Sequence, residues 1–142
     1  MTVEKAEVTT PEGYLGAMGV PDPNVPWADV PSVLAVTMKV ENVGNDTGSI
    51  DLVTLGVIDG GGDDMVQVDS DLLYRAYPQI DGAPVLRLVK DSEMTVTIPF
   101  SLKDQGPYFQ KATGAYPVPF EGGRCELVLS NQPAQKLVDL DV

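Results

Sequence analysis

The clearest pattern in the chain is the run Met94–Leu102. Met94, Val96, Ile98, Phe100 and Leu102 alternate with Thr95, Thr97, Pro99 and Ser101. Strict period-two alternation predicts a strand with one dry and one wet side; a helix would scatter the same apolar residues around its circumference. Val33–Val43 repeats the pattern, with Leu34, Val36, Met38 and Val40 facing inward and Thr37, Lys39 and Glu41 outward. In Arg124–Ser130, Cys125, Leu127 and Leu129 face inward and Arg124, Glu126, Val128 and Ser130 outward. Thr2–Thr10, Met65–Asp69, Val85–Lys90 and Ala134–Val142 read as shorter strands, and Glu4, Lys5 and Glu7 mark the first as an edge. Ile50–Ile58 is apolar on both faces, which predicts a central strand. Turns fall at Asn42–Gly48, Asp59–Asp64, Asp91-Ser92 and Asn131–Pro133, where Gly, Asn, Asp and Pro cluster.

Three segments break the alternation. Ser70–Pro84 reads either as one helical turn over Leu72–Ala76, capped by Ser70 or Asp71, or as a bulged edge strand. Pro11–Ser32 holds Pro11, Pro21, Pro23, Pro26 and Pro31 with Gly13, Gly16 and Gly19, so no regular element is expected there. Lys103–Gly123 holds Pro107, Pro117 and Pro119 among Tyr108, Phe109, Tyr116 and Phe120. The sum is one domain over residues 1–142: an all-β, antiparallel sandwich of about seven or eight strands, with residues 11–32 and 103–123 as two long Pro- and aromatic-rich loops packed on it.

The run Val33-Leu34-Ala35-Val36-Thr37-Met38-Lys39-Val40-Glu41-Asn42-Val43-Gly44 resembles a strand-and-turn pattern of immunoglobulin-like domains of unknown function in exported lipoproteins of Gram-positive bacteria. The acidic turn Asp59–Gly62, the stretch Lys90–Glu93 before Met94, and the strands Cys125–Leu129 and Leu137–Val142 are similar as well. The resemblance covers about residues 33–142. It implies an immunoglobulin-like sandwich held at a bacterial surface, with no active site to carry over.

Composition narrows the chemistry. The chain has no histidine, which removes Ser-His-Asp and Cys-His catalysis, the His-Glu-x-x-His zinc site and the two-His iron site. A single cysteine, Cys125, rules out an internal disulfide, and its phase with Leu127 and Leu129 predicts a buried, inert side chain. Nine Lys and Arg against 21 Asp and Glu give a formal charge of -12, so nucleic acid and an anionic membrane surface are poor partners. No apolar run reaches the roughly eighteen residues of a membrane-spanning helix. The start, Met1–Glu7, lacks the apolar core of a signal peptide. That leaves a cytosolic protein, or an extracellular one whose signal and lipid anchor lie outside this chain.

Candidate sites are few. Asp46-Thr47-Gly48-Ser49 matches the aspartic-protease motif, but that chemistry needs two such carboxylates sharing a proton and the chain holds no second copy; a turn is the expected reading. Asn45-Asp46-Thr47 is also a glycosylation sequon, relevant only in a secreted eukaryotic protein. Asp59, Asp63 and Asp64, with Asp69 and Asp71 behind them, could gather oxygens for Ca²⁺, although their spacing is not that of an EF-hand. Trp27, Tyr108, Phe109 and Tyr116, with Tyr14 and Phe120, lie in the two long loops. They either fill the ends of the core or form an aromatic surface for a protein or glycan.

The expected function is therefore a non-catalytic extracellular binding or adhesion module of an exported bacterial lipoprotein. No cofactor is expected apart from Ca²⁺ at the acidic turn, and the partner is a protein or glycan at the cell surface. The alternatives are a Ca²⁺-stabilised scaffold and, behind it, a carboxylate-dependent hydrolase whose two residues nothing marks. A scaffold of that kind melts at a higher temperature when Ca²⁺ is added, and Asp63→Ala removes the gain; a melt indifferent to Ca²⁺ ends the idea.

Overall fold

A computed structural model describes residues 1–22, 32–44, 46–59, 65–80, 85–101, 124–130 and 136–142. Along the chain run β1 (Thr2–Thr9), α1 (Pro11–Ala17), β2 (Val33–Glu41), β3 (Gly48–Asp51), a 3₁₀ turn (Leu52–Thr54), β4 (Gly56–Asp59), β5 (Met65–Gln67), α2 (Ser70–Ala76), β6 (Val85–Leu88), β7 (Glu93–Ser101), β8 (Arg124–Ser130) and β9 (Lys136–Asp141). The strands form three sheets, ordered β1-β2-β7, β3-β6 and β5-β4-β8-β9. Every pairing within them is antiparallel. The architecture is an all-β sandwich.

The main core is built from the inner faces of these sheets. Leu34, Val36, Met38 and Val40 of β2 meet Val96, Ile98 and Phe100 of β7 in register, and pack with Val57, Val66, Leu86, Leu88, Cys125, Leu127 and Leu140. The alternation in Val33–Val43, Met94–Phe100 and Arg124–Leu129 thus marks the inward face as expected, and Cys125 is buried there; Leu102 lies outside the described residues. Val128, expected outward, is instead fully buried opposite Gly56.

Ile50–Ile58 is not one central strand. Ile50 belongs to β3, which pairs with β6; the 3₁₀ turn then carries the chain across to β4, which pairs with β5 and β8. Leu52 and Leu55, on either side of the crossing, are both buried in the main core. Apolar residues at every position reflect a chain that changes sheets rather than a strand buried on both faces. The split brings the described strands to nine.

Pro11–Ser32 is not wholly irregular either. Thr10 is the N-cap of α1, its Oγ1 accepting from Gly13 N at 3.0 Å, and Pro11 takes the first helical position, where no amide is missed. Gly19, at φ 75°, ends the helix: Gly19 N donates to Gly16 O at 3.1 Å and Val20 N to Leu15 O at 3.1 Å, a Schellman motif with Val20 packed beside Leu15. A Cβ at Gly13 would collide with Thr9 Oγ1, so a larger residue there needs the Thr9 side chain to turn away. The capping signals outweigh the interior glycines because burial adds to them. Tyr14 and Leu15 form a second small core with Val33, Ala35 and Leu72 on the outer face of the β1-β2-β7 sheet.

At Ser70–Pro84 the helical alternative is the one adopted, but the cap is Asp69, whose Oδ1 accepts from Leu72 N at 3.1 Å. Helices therefore cover one end of the face on which only polar residues were expected.

Ile98 has no solvent exposure. Burying such a side chain contributes about 1.5–3 kcal/mol, and an unpaired buried carboxylate in its place costs several more, against a total stability of about 5–15 kcal/mol. Ile98→Asp is expected to abolish folding; a soluble Ile98→Asp protein that melts cooperatively would show that this face is not the core.

Candidate functional site

The residues singled out from the sequence fall largely outside the described part. Trp27, Tyr108, Phe109, Tyr116, Asp63 and Asp64 all lie there, and Asp59 closes β4 opposite Cys125. Asp69 caps α2, and Asp71 lies in the helix's first turn. Among the described residues, no group of three or more His, Cys, Asp or Glu is gathered closely enough to hold a metal ion. Asp46 is exposed in a turn, its carbonyl accepting from Asn42 Nδ2 at 2.8 Å.

The described residues bring together a cleft between α1 and the outer face of the β1-β2-β7 sheet, with a volume of about 260 Å³. Lys5, Thr37 and Thr97 share one rung of the sheet beneath it, and Tyr14 and Met18 wall it from the helix side. Lys5 Nζ and Glu7 Oε2 pair at 2.7 Å, both well exposed. Thr37 Oγ1 and Thr97 Oγ1 lie 2.9 Å apart and share a hydrogen bond. The Tyr14 hydroxyl donates to Thr97 O at 2.9 Å. Burial pushes its pKa up, and the neighbouring Tyr77 and Asp69 push it further, so it stays a neutral donor. Thr97 N donates to the Tyr77 hydroxyl at 2.9 Å. In this cleft the hydroxyls bond one another and the backbone. The cleft can offer surface and hydrogen bonds to a ligand.

Sequence reasoning placed Tyr14 among loop aromatics and did not foresee its bond to Thr97. The available signal was Thr10-Pro11 followed by Gly19, which frames a helix and sets Tyr14 and Leu15 on adjacent positions of it.

Asn42 organises the opposite end of β2. Its Oδ1 accepts from Gly44 N at 2.9 Å, and its Nδ2 donates to Asp46 O at 2.8 Å and Leu88 O at 2.9 Å. Its backbone N donates to Ser92 O at 2.9 Å, and its carbonyl accepts from Asp91 N at 3.1 Å. One asparagine thus ties the Asn42–Gly48 turn to the end of β6 and to the turn before β7, which is why Asn stands at this point of the strand-and-turn pattern.

These features define an antiparallel β-sandwich with helices laid on one face and a cleft of mixed polar and apolar lining. A model of a domain of unknown function, DUF5028, matches residues 1–136, and the chain belongs to that family. No curated protein and no solved structure matches it.

Beyond the cleft, the same outer face carries a charge triad. Lys39 Nζ lies 3.1 Å from Glu41 Oε1 and 2.9 Å from Glu93 Oε2, and Glu41 and Glu93 are opposite one another in the register. Hydrogen bonding to Lys39, then its charge, holds the Glu93 carboxyl below the ordinary range; the bond to Glu93 leads the causes that raise Lys39. Because Glu93 is lowered, its contribution is present above the ordinary carboxylate range and is lost as pH falls through the lowered value. Lys39, being raised, contributes below the ordinary lysine range and loses that contribution as pH rises through its raised value. Lys39→Met leaves two like charges face to face. Its melting temperature is expected to drop at pH 7 and to drop less in strongly acidic buffer, where the Glu93 contribution is lost; equal drops in the two buffers would contradict the triad.

Proposed function

We propose that this protein is a non-catalytic binding module, an immunoglobulin-like sandwich carried at the surface of a bacterium by a lipid anchor outside this chain. Its partner is a protein or glycan of the cell surface, contacted through Trp27, Tyr108, Phe109 and Tyr116. One observation carries this reading: the polar groups that the framework encloses are spent on architecture. Asn42 bonds turn backbone, Asp69 caps a helix, and Tyr14 and Tyr77 bond a strand edge. The large hydrophobic residues that the described framework exposes are Met1, Val8, Val43 and Val89, with no aromatic ring among them. The aromatic side chains suited to an interface anchor lie instead in the connecting segments, where binding residues concentrate when a rigid scaffold presents them.

The absence of histidine supports the non-catalytic part of the reading, because the commonest proton-transfer group near neutral pH is missing. The resemblance of Val33–Gly44 to exported lipoprotein domains supports the location.

The test is retention on purified Gram-positive cell walls. The wild-type chain is expected to be retained, and its single tryptophan, Trp27, is expected to change emission on binding. The variant Trp27→Ala/Tyr108→Ala/Tyr116→Ala is expected to lose retention while keeping its strand signal and melting cooperatively. Wild-type protein that passes through unretained, or a folded variant retained equally well, overturns the proposal.

A further inference from the structure

Among the described strands β7 ends its sheet, so one side of it has no strand partner there. The backbone groups of Thr97 point to that open side, since both are bonded by residues outside β2. The Tyr14 hydroxyl donates to Thr97 O and the Tyr77 hydroxyl accepts from Thr97 N, each at 2.9 Å. The two tyrosines come from different segments, one in α1 and one at the C-cap of α2. Two residues on, Pro99 O accepts from Asp69 N at 2.9 Å, and Phe100 forms an isolated bridge with Val68. Pro99 itself has no N–H to offer on that side. A neighbouring strand would make the same donor–acceptor pair at Thr97 that the two hydroxyls make.

We propose that Tyr14 and Tyr77 act as a guard, closing the central rung of β7 against β7 of a second copy of this chain. The strand is self-complementary about Thr97. A two-fold axis through that residue sets Val96 beside Ile98, Met94 beside Phe100 and Glu93 beside Ser101, so apolar residues stay on one face and no like charges meet. At the centre of such a pair, Thr97 exchanges both of its bonds with its symmetry mate. Those are the two bonds the tyrosines hold. On either side, Pro99 has no N–H to return and its O already accepts from Asp69 N, so no bonds are exchanged there. The Thr97 rung therefore decides whether the edge pairs, and the guard stands on it. The far edge of the same sheet is protected by other means, with charged Glu4, Lys5 and Glu7 and a register shift between Val3 and Lys5.

The test compares self-association by sedimentation. Wild type is expected to be monomeric. Tyr14→Phe/Tyr77→Phe keeps both rings and frees Thr97 N and O, and self-association is expected to tighten by about tenfold or more. Adding Thr97→Pro removes the donor that a partner strand needs. Because that N–H faces the open side, no backbone bond to β2 is lost, only the hydroxyl bond to Thr37, and the triple variant is expected to return to monomer. A folded double variant that stays monomeric overturns the guard, and so does a triple variant that associates as strongly as the double. If the double variant does not fold, Tyr77→Phe alone gives the same readout. Hydrogen exchange on wild type is a check that needs no variant: the Thr97 amide should be protected like the β2–β7 ladder amides, and exchange as fast as at an open edge overturns the proposal.

Discussion

The pairing of β2 with β7 is the constraint on which the rest of the structure depends. Its register runs unbroken from Val33↔Ser101 to Glu41↔Glu93. A slip of one residue would turn Leu34, Val36, Met38, Val96, Ile98 and Phe100 out to solvent together, so the register is fixed by the whole apolar set and not by any single contact. The same pairing places Val33 and Ala35 on the other face, where Tyr14, Leu15 and Leu72 cover them. Two cores, one on each side of β2, therefore depend on one strand pair. Its partners are far apart along the chain; Thr37 and Thr97, which share a hydrogen bond across the rung, are 60 residues apart. Loop closure on that scale must precede the contacts that reward it, which places this fold among the slower-folding topologies.

Strand identity was legible because period-two alternation is imposed directly by a sheet with one buried face. It was clearest in Met94–Leu102 and Val33–Val43, where that face meets the main core. It failed in two physically distinct ways. Ile50–Ile58 looked like one strand because local pattern carries no sign of a change of sheet; Leu52 and Leu55 are apolar for the same core on either side of a crossing. Pro11–Ala17 looked irregular because its glycines and proline were counted as breakers, without weighing position: Pro11 stands where a helix tolerates proline, and Gly19 where a helix ends on one. The candidate site was less legible still. A hydroxyl that bonds a backbone group 83 residues away, as Tyr14 does, leaves no periodic trace in the sequence.

A common theme joins Asn42, Asp69, Tyr14 and Tyr77. Each supplies side-chain polar atoms to backbone groups that no strand or helix satisfies, at a turn, a helix start and a strand edge. An unpaired buried backbone group costs as much as a lost hydrogen bond, so such positions are where a small sandwich gains or loses stability out of proportion to their number. Pro99 solves the same problem by subtraction. It removes a donor on the open side of β7 and keeps a carbonyl that Asp69 N uses.

Net charge cannot do the work of these local contacts. At -12 the chain repels a second copy of itself at a distance, but physiological salt screens that repulsion beyond about 8 Å, while paired strands lie only about 4.8 Å apart. What decides pairing at that range is the charge on the strand itself, and β7 carries only Glu93, at one end of nine residues. Around Thr97 there is no charge on β7 to oppose a partner. A sheet edge that is uncharged and apolar on its inner face is the kind that associates. Where repulsion is absent, occupancy is the remaining way to keep such an edge closed, and the hydroxyls at Thr97 supply it with groups that are already part of the second core.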